Sequence, residues 1–334
     1  MAGRSGLLAL CTTIGLVFAA GPAPAADRVV FGTNWLAEAE HGGFYQALAA
    51  GIYARHGLEV EIRPGGPQVN HSQLLAAGVV DVAMIANNAT AINFLTAGIP
   101  VVTVAAFFQK DPAVLVAHPD QGNDSIAALK GKPIMISAES REGWWRFLKL
   151  RFGFDDGQIR PYNFQMAPFL ADKRAVQQAY VTAEPHEIER LGVKPRLLLL
   201  ADNGWPAYST LTAVPKRLIA EKPDVVRRFV EASIEGWYAY LYGDSAPANA
   251  RIKRDNPEMT DGQIAYSIAK MKEYGIVDSG DTATLGIGAM TEPKLKQFFD
   301  LMVDSGLYGK ELKFMDAFDA RFVNKGHGLS MRPR

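Results

Sequence analysis

The chain has 334 residues, room for roughly two domains and a sizeable core. Hydrophobic residues make up 48% and charged residues 21%, a globular balance that excludes an intrinsically disordered chain and a multi-span membrane protein. Lys+Arg and Asp+Glu both number 35, and this zero net charge removes the bulk electrostatic footprint of a nucleic-acid binder, so no nucleic acid is expected as a partner.

The first segment, residues 6–20 behind the single cation Arg4, is apolar but too short for a dependable spanning helix, and it reads as a signal peptide. Small residues follow and offer an A-x-A-like cleavage site near Ala25 or Ala26, so residues 1–26 are expected to be removed on export to the periplasm. Cys11, the only cysteine, lies inside this apolar stretch. The mature chain is thereby left without disulfides, thiolate metal sites or cysteine nucleophiles.

From Arg28 onward strand-like and helix-like segments alternate, the signature of an α/β architecture with largely parallel strands. Residues 28–33 form the first expected strand, followed by a polar stretch over 34–41, a helix over 43–50 and an alternating strand over 58–62. Gly65-Gly66-Pro67 then breaks the chain. Asn70 can cap a helix over 72–77 with Gln73 at its third position, residues 80–86 read as a buried strand, Asn87 or Asn88 can cap the next helix, and 101–108 make a fourth strand.

A second series begins after the turn-rich Lys110-Asp111-Pro112. It comprises strands over 132–137, 159–164 and 178–182, an apolar run over 197–201, and a helix that places Trp144, Phe147, Leu148 and Arg151 on one face. Trp144 and Trp145 are adjacent and cannot share a helix face, so one is expected in the core while the other is free to line a cleft. Residues 208–214 read as a further strand. From Pro223 the chain turns helical, with Val226, Phe229, Val230, Ile234, Trp237 and Leu241 forming a core stripe. Two α/β series of similar size predict two lobes with a cleft between them: 27–112 with 210–334 as one discontinuous lobe, 113–209 as the other, and crossings near 108–113 and 208–212.

Ligands of open α/β sheets bind beyond the carboxyl ends of the strands, where helix N-termini and free amides converge. The loops there carry Asn34 and Trp35, Gly66, Asn87 and Asn88, Phe108 and Gln109, Ser140 and Arg141, and Glu184. With His41, Trp144 and Tyr208 they make up the expected ligand-binding set, rich in amides and aromatics that suit a flat, polar small molecule. Each has a plainer role open to it. The asparagines suit helix caps, a core role is the plainer alternative for Trp35 but less natural in a polar loop directly after a strand, and Glu184 before Pro185 suits a helix start, where the dipole stabilises any carboxylate. The six histidines, at 41, 56, 71, 118, 186 and 327, show no H-E-x-x-H spacing, and neither a phosphate loop nor a G-x-S-x-G elbow occurs. No catalytic residue, metal or cofactor is expected.

Asn34-Trp35, His41-Gly42-Gly43-Phe44-Tyr45-Gln46-Ala47, Gly51-Ile52-Tyr53, Gly57-Leu58-Glu59-Val60 and Gly65-Gly66-Pro67 resemble the periplasmic solute-binding proteins of the nitrate, sulfonate and taurine transporter type. The likeness is strongest to the branch similar to thiamine-pyrimidine-precursor and riboflavin binders. Phe108-Gln109-Lys110-Asp111-Pro112 and Thr182-Ala183-Glu184-Pro185 look like the same branch. The resemblance implies a type II periplasmic binding protein fold: two α/β lobes, a central cleft, two hinge crossings and a helical C-terminal region. It further implies a monomer, not an enzyme, that closes on a small-molecule solute and presents it to an ABC permease at the inner membrane with its cytoplasmic ATPase. A related eukaryotic pyrimidine synthase shares this fold and carries a cysteine-rich segment, which the mature chain lacks, and this disfavours the enzymatic branch.

Charge chooses among solutes. Glu38, Glu40, Glu139 and Glu184 lie in the cleft loops against Arg141, Lys110 and His41, and an excess of carboxylates disfavours a small anion. The favoured solute is an amine-bearing aromatic heterocycle such as a thiamine pyrimidine precursor. The alternatives are a small sulfonate, nitrate or carboxylate, and, outside transport, a secreted enzyme on the same fold.

Overall fold

The computed structural model describes residues 25–66, 69–141 and 143–333. The leader expected over 1–26 falls outside the described residues except for Ala25 and Ala26; Cys11, Pro67 and the side chain of Glu139 fall outside them as well.

The chain begins β1 (Asp27–Gly32), α1 (Gly42–Ala49), α2 (Ile52–Arg55), β2 (Leu58–Arg63), α3 (His71–Ala76), β3 (Val82–Asn87), α4 (Asn88–Thr96) and β4 (Val101–Phe108). It continues β5 (Ala113–Ala117), β6 (Ile134–Ile136), α5 (Ala138–Arg141), α6 (Trp144–Phe152), β7 (Ile159–Pro161), α7 (Ala167–Ala171), β8 (Val176–Tyr180), α8 (Glu184–Arg190) and β9 (Arg196–Leu199). The last part is β10 (Ser209–Pro215), α9 (Lys216–Glu221), α10 (Pro223–Tyr242), α11 (Ala246–Asp255), α12 (Asp261–Glu273), α13 (Thr282–Leu285) and α14 (Glu292–Asp304).

Among the described residues the strands form two five-stranded sheets, ordered β2-β1-β3-β10-β4 and β7-β6-β8-β5-β9. They are mixed, not largely parallel as the alternation of elements predicts. β1 runs parallel to β2 and β3, and β6 parallel to β7 and β8, but β10 is antiparallel to β3 and β4, and β5 to β8 and β9. The cause is the double passage between sheets. β3 and β4 end where β10 begins, with Asn87 and Phe108 both opposite Ser209, so a strand arriving from the other sheet enters at the interlobe end and must run backwards. β5 does the same in the second sheet, Ala113 lying opposite Tyr180. The first passage occupies residues 109–112. The second occupies 200–208, earlier than the expected 208–212, because Ser209 to Thr212 are already paired in β10.

Local sequence accounts for several boundaries. Asn70 caps α3 by accepting from Gln73 N at 3.1 Å, and Asn87 caps α4 by accepting from Ala89 N at 3.0 Å. Pro168 and Pro185 stand in the first turns of α7 and α8, where a missing N–H costs nothing. On α6 the expected face is buried at Trp144, Phe147 and Leu148, but Arg151 turns to solvent, and Trp145 is buried together with Trp144. The stripe on α10 is buried throughout.

One helix contact positions the functional loops. A Cβ on Gly236 would lie 2.2 Å from Gly43 O, and one on Gly43 would lie 2.2 Å from the Trp237 ring, so α1 and α10 pack backbone to backbone at this crossing. That approach brings the loop before α1 against the end of α10. No helix among the described residues is long and apolar enough to cross a membrane.

Candidate functional site

The loop after β1 supplies one wall. A Cβ on Gly65 would lie 2.5 Å from Thr33 O, so glycine lets residues 64–66 cross directly over the start of this loop; Gly65 N then donates to Trp35 O at 2.9 Å, and Thr33 Oγ1 to the same carbonyl at 3.1 Å. Trp35 is thereby held half-buried at the rim. A 3-10 turn over Ala39–His41 directs Glu38, Glu40 and His41 inward. His41 Nε2 meets Asn34 Oδ1 at 3.1 Å and lies 3.6 Å from Glu38 Oε1. Burial pushes the His41 imidazolium down to about 3, so this ring is neutral at any physiological pH.

The second sheet supplies the opposite wall from the loops after β7 and β8. Tyr162 OH donates to Glu184 Oε1 at 3.2 Å, and Tyr180 N donates to Glu184 Oε2 at 2.8 Å. Phe164 closes on Trp35, the ring centres 5.4 Å apart and tilted by 39°, and on Tyr162 at 5.1 Å. Its φ of 63° is in the left-handed region, and it is 56% exposed, a strained and unburied position for a bulky residue. The carbonyl of Thr182 is anchored by Gln263 Nε2 at 3.1 Å and Ser267 Oγ at 2.7 Å, both on α12.

Three carboxyl groups therefore converge from the two sheets. Burial raises Glu38 well above the usual range, with the charges of Glu40 and Glu184 adding to the effect. Burial raises Glu40 to about 7, against the pull of the nearby Thr182 hydroxyl, and it raises Glu184 as well. Among the described residues no lysine or arginine pairs with any of them. Glu40 Oε1, Thr182 Oγ1 and Tyr240 OH, each on a residue at most 3% exposed, lack partners of hydrogen-bonding geometry. Glu40 and Thr182 thus face each other from the two lobes, close enough for the hydroxyl to favour the carboxylate but without a well-formed hydrogen bond, and Tyr240 OH near them is likewise unpartnered.

The expected site residues divide. Asn34, Trp35, His41 and Glu184 join this cluster. Gly66 is buried next to the rim, pairing with Val69. Asn88 is buried with Oδ1 accepting from Tyr208 N at 3.1 Å and Nδ2 unpartnered. Asn87 is spent on its helix cap. Phe108 is core, edge-on to Trp237 at 5.6 Å, and the Gln109 amide donates to the carbonyls of Ala106 and Ala289, which leaves neither group for a ligand. Ser140 bonds Ser137, Trp144 is buried, and Tyr208 OH accepts from Thr291 N at 3.1 Å. Arg141 lies elsewhere, in a cavity of about 820 Å³ with Trp145, Arg146, Lys149 and Asp304. Lys110 is engaged by Asp202 at 2.7 Å. The expected set does not include Glu38, Glu40, Tyr162, Phe164, Thr182 or Tyr240. The two glutamates carry a sequence signal, their charge in a loop after a strand, and Thr182 stands in the Thr182-Ala183-Glu184-Pro185 segment that carries the resemblance; Tyr162, Phe164 and Tyr240 carry none.

The NMT1/THI5-like family profile matches residues 38–245. The riboflavin-binding protein RibY of Chloroflexus aurantiacus is 27% identical over 318 residues, spanning 92% of this chain and 90% of that one. The periplasmic aliphatic sulphonate binding protein SsuA from Escherichia coli superposes with a TM-score of 0.62 at 16% identity, covering 88% of this chain and 92% of that one. The desulfurization enzyme DSZB superposes with a TM-score of 0.60 at 12% identity, covering 89% and 97%. The chain belongs to the NMT1/THI5-like family and carries the two-lobed type II periplasmic binding protein fold.

Proposed function

We propose that the chain captures an amine-bearing aromatic heterocycle, such as a thiamine pyrimidine precursor, as the solute-binding component of an ABC importer. The carrying observation is the convergence of Glu38, Glu40 and Glu184 from both sheets with no lysine or arginine among the described residues to neutralise them. A solute that brings an ammonium or several N–H donors supplies the missing charge and fills the orphaned acceptors. Trp35 and Phe164 offer ring faces beside the carboxyls, so the flat part of the solute stacks while its amino groups point inward. The solute then passes to a permease at the inner membrane driven by a cytoplasmic ATPase. Export to the periplasm requires removal of residues 1–26, and N-terminal sequencing of the secreted protein is expected to begin at Ala26 or Asp27; a secreted chain still starting at Met1 contradicts this.

Riboflavin is the second reading, favoured by the named ligand of RibY. Its flat ring system suits the same aromatic rim, and protonated carboxyls can pair with a neutral imide. A small sulfonate is disfavoured by the acidic wall, and turnover is not expected because no activated nucleophile accompanies the carboxyls. A thermal-shift screen of aminopyrimidines, riboflavin, alkanesulfonates and nitrate tests the reading. A true ligand at about 100 times its Kd stabilises by about 2.7 kcal/mol. The aminopyrimidines are expected to shift the melting point, and recovery of chemically altered ligand at catalytic yield would reassign the chain to an enzyme.

A further inference from the structure

The two chain crossings are fastened to each other by contacts that the solute site does not use. Lys110 of the first crossing pairs with Asp202 of the second at 2.7 Å, and Trp205 Nε1 donates to Asp111 at 3.0 Å. The N–H groups of Gln109 and Lys110 reach Ile276 O at 2.7 and 3.1 Å. Lys294, in the first turn of α14, touches both crossings: its Nζ donates to Gln109 O and stands 4.3 Å from the centre of the Tyr208 ring. Tyr208 is itself fixed, its OH accepting from Thr291 N and its N–H donating to Asn88.

We propose that Lys294 is a positioning residue for solute capture, a proton-dependent pin whose ammonium holds the two crossings together in the arrangement where the two lobes touch. That arrangement is the one in which Trp35 meets Phe164 and Glu40 faces Thr182. Phe108 and Ser209 stay paired in the first sheet, so rotation of one lobe against the other must bend residues 109–112 and 200–208 away from that pair; Lys294 bonds Gln109 and stacks on Tyr208, the residues where both crossings leave it. An ammonium over an aromatic face is attracted by the ring quadrupole, more strongly where water is excluded, and its hydrogen bond to a carbonyl is strengthened by charge. A neutral amine loses the first attraction and weakens the second. The charged groups facing Lys294 are Asp281, which favours the ammonium, and Lys110, which opposes it while paired with Asp202. Burial pushes Lys294 down to about 8, so the pin loses its charge in mildly alkaline solution.

The inference is independent of which solute is bound, and its test needs none. Small-angle scattering of the unliganded protein is followed between about pH 7.5 and about 9.5, with circular dichroism beside it to separate opening from unfolding and with Glu40→Gln run in parallel, because Glu40, raised to about 7, still loses protons at the lower end of this range. The radius of gyration of the parent is expected to rise through a midpoint near 8. Lys294→Met is expected to be expanded and flat across the range. Lys294→Arg, whose guanidinium keeps its charge, is expected to stay compact. Tyr208→Leu keeps the lysine but removes the ring beneath it, and is expected to move the midpoint to lower pH. A parent whose radius does not change with pH, or a Lys294→Met protein that titrates like the parent, overturns the proposal.

Discussion

Glu184 is held from two sides inside its own lobe, by Tyr162 OH and Tyr180 N, so its carboxyl is preoriented before any solute arrives. Glu184→Gln keeps the shape and removes the charge. Hydrogen bonds to charged groups contribute about 1.5 to 3 kcal/mol, so the substitution is expected to weaken an amine-bearing solute by roughly 10 to 100 fold while the protein still folds. Calorimetric titration beside a melting curve checks this. Trp35→Ala is expected to lose the stacking contribution of about 0.5 to 1.5 kcal/mol plus the buried ring area, with little change in melting because the ring sits at the rim. At this scale the sequence was partly legible. Trp35, His41 and Glu184 stand out as polar or aromatic groups in loops after strands, whereas Tyr162 and Phe164 are read as the end of a strand that in fact stops at Pro161. Tyr240 follows a core stripe on α10, and only the glycine contact at Gly42, where a Cβ would lie 2.0 Å from its ring, explains why it reaches the loop before α1.

Elements set how those residues meet. The approach of α1 to α10 depends on Gly43 and Gly236, and a side chain at either forces the helices apart. Gly236→Val is expected to destabilise by about 1 to 3 kcal/mol or more, as overpacking does, and to weaken solute binding as well, because the loop carrying Glu38 and Glu40 moves with α1. A urea melt and a titration on the same preparation check it; loss of stability with unchanged affinity would detach the helix contact from the site. Most strands of both series and the helices of the first follow from periodicity and punctuation, down to the Asn70 cap with Gln73 at the third position, but β5 is not read as a strand and the C-terminal helices are read only as one helical region. What escaped was direction. Whether β5 and β10 run with or against their neighbours is decided by how often the chain passes between sheets, and no local pattern in either strand records that.

For the whole molecule, the interlobe carboxyls make closure depend on pH. Glu40 binds its proton up to about 7 in the folded protein but only in the ordinary carboxylate range when unfolded, so between those limits the folded state holds more protons. The associated stability is fully present at the acid end and is lost as pH rises through about 7. The unliganded protein is therefore expected to melt at lower temperature at about pH 8 than at about pH 5.5, and Glu40→Gln is expected to flatten that difference, both read by calorimetry. A cationic solute reverses the trend, because it binds the ionised carboxyls and relieves their repulsion. An anionic solute gains nothing from ionisation and is repelled by it.

The direct measurement is a calorimetric titration of the mature protein with the aminomethyl form of the thiamine pyrimidine, which carries a primary ammonium, at about pH 5.5 and about pH 8. Binding that tightens about tenfold at the higher pH, and that Glu184→Gln weakens at both, is the predicted result. Binding that weakens as pH rises, or an alkanesulfonate that binds where the pyrimidine does not, would contradict a cation-selective cleft.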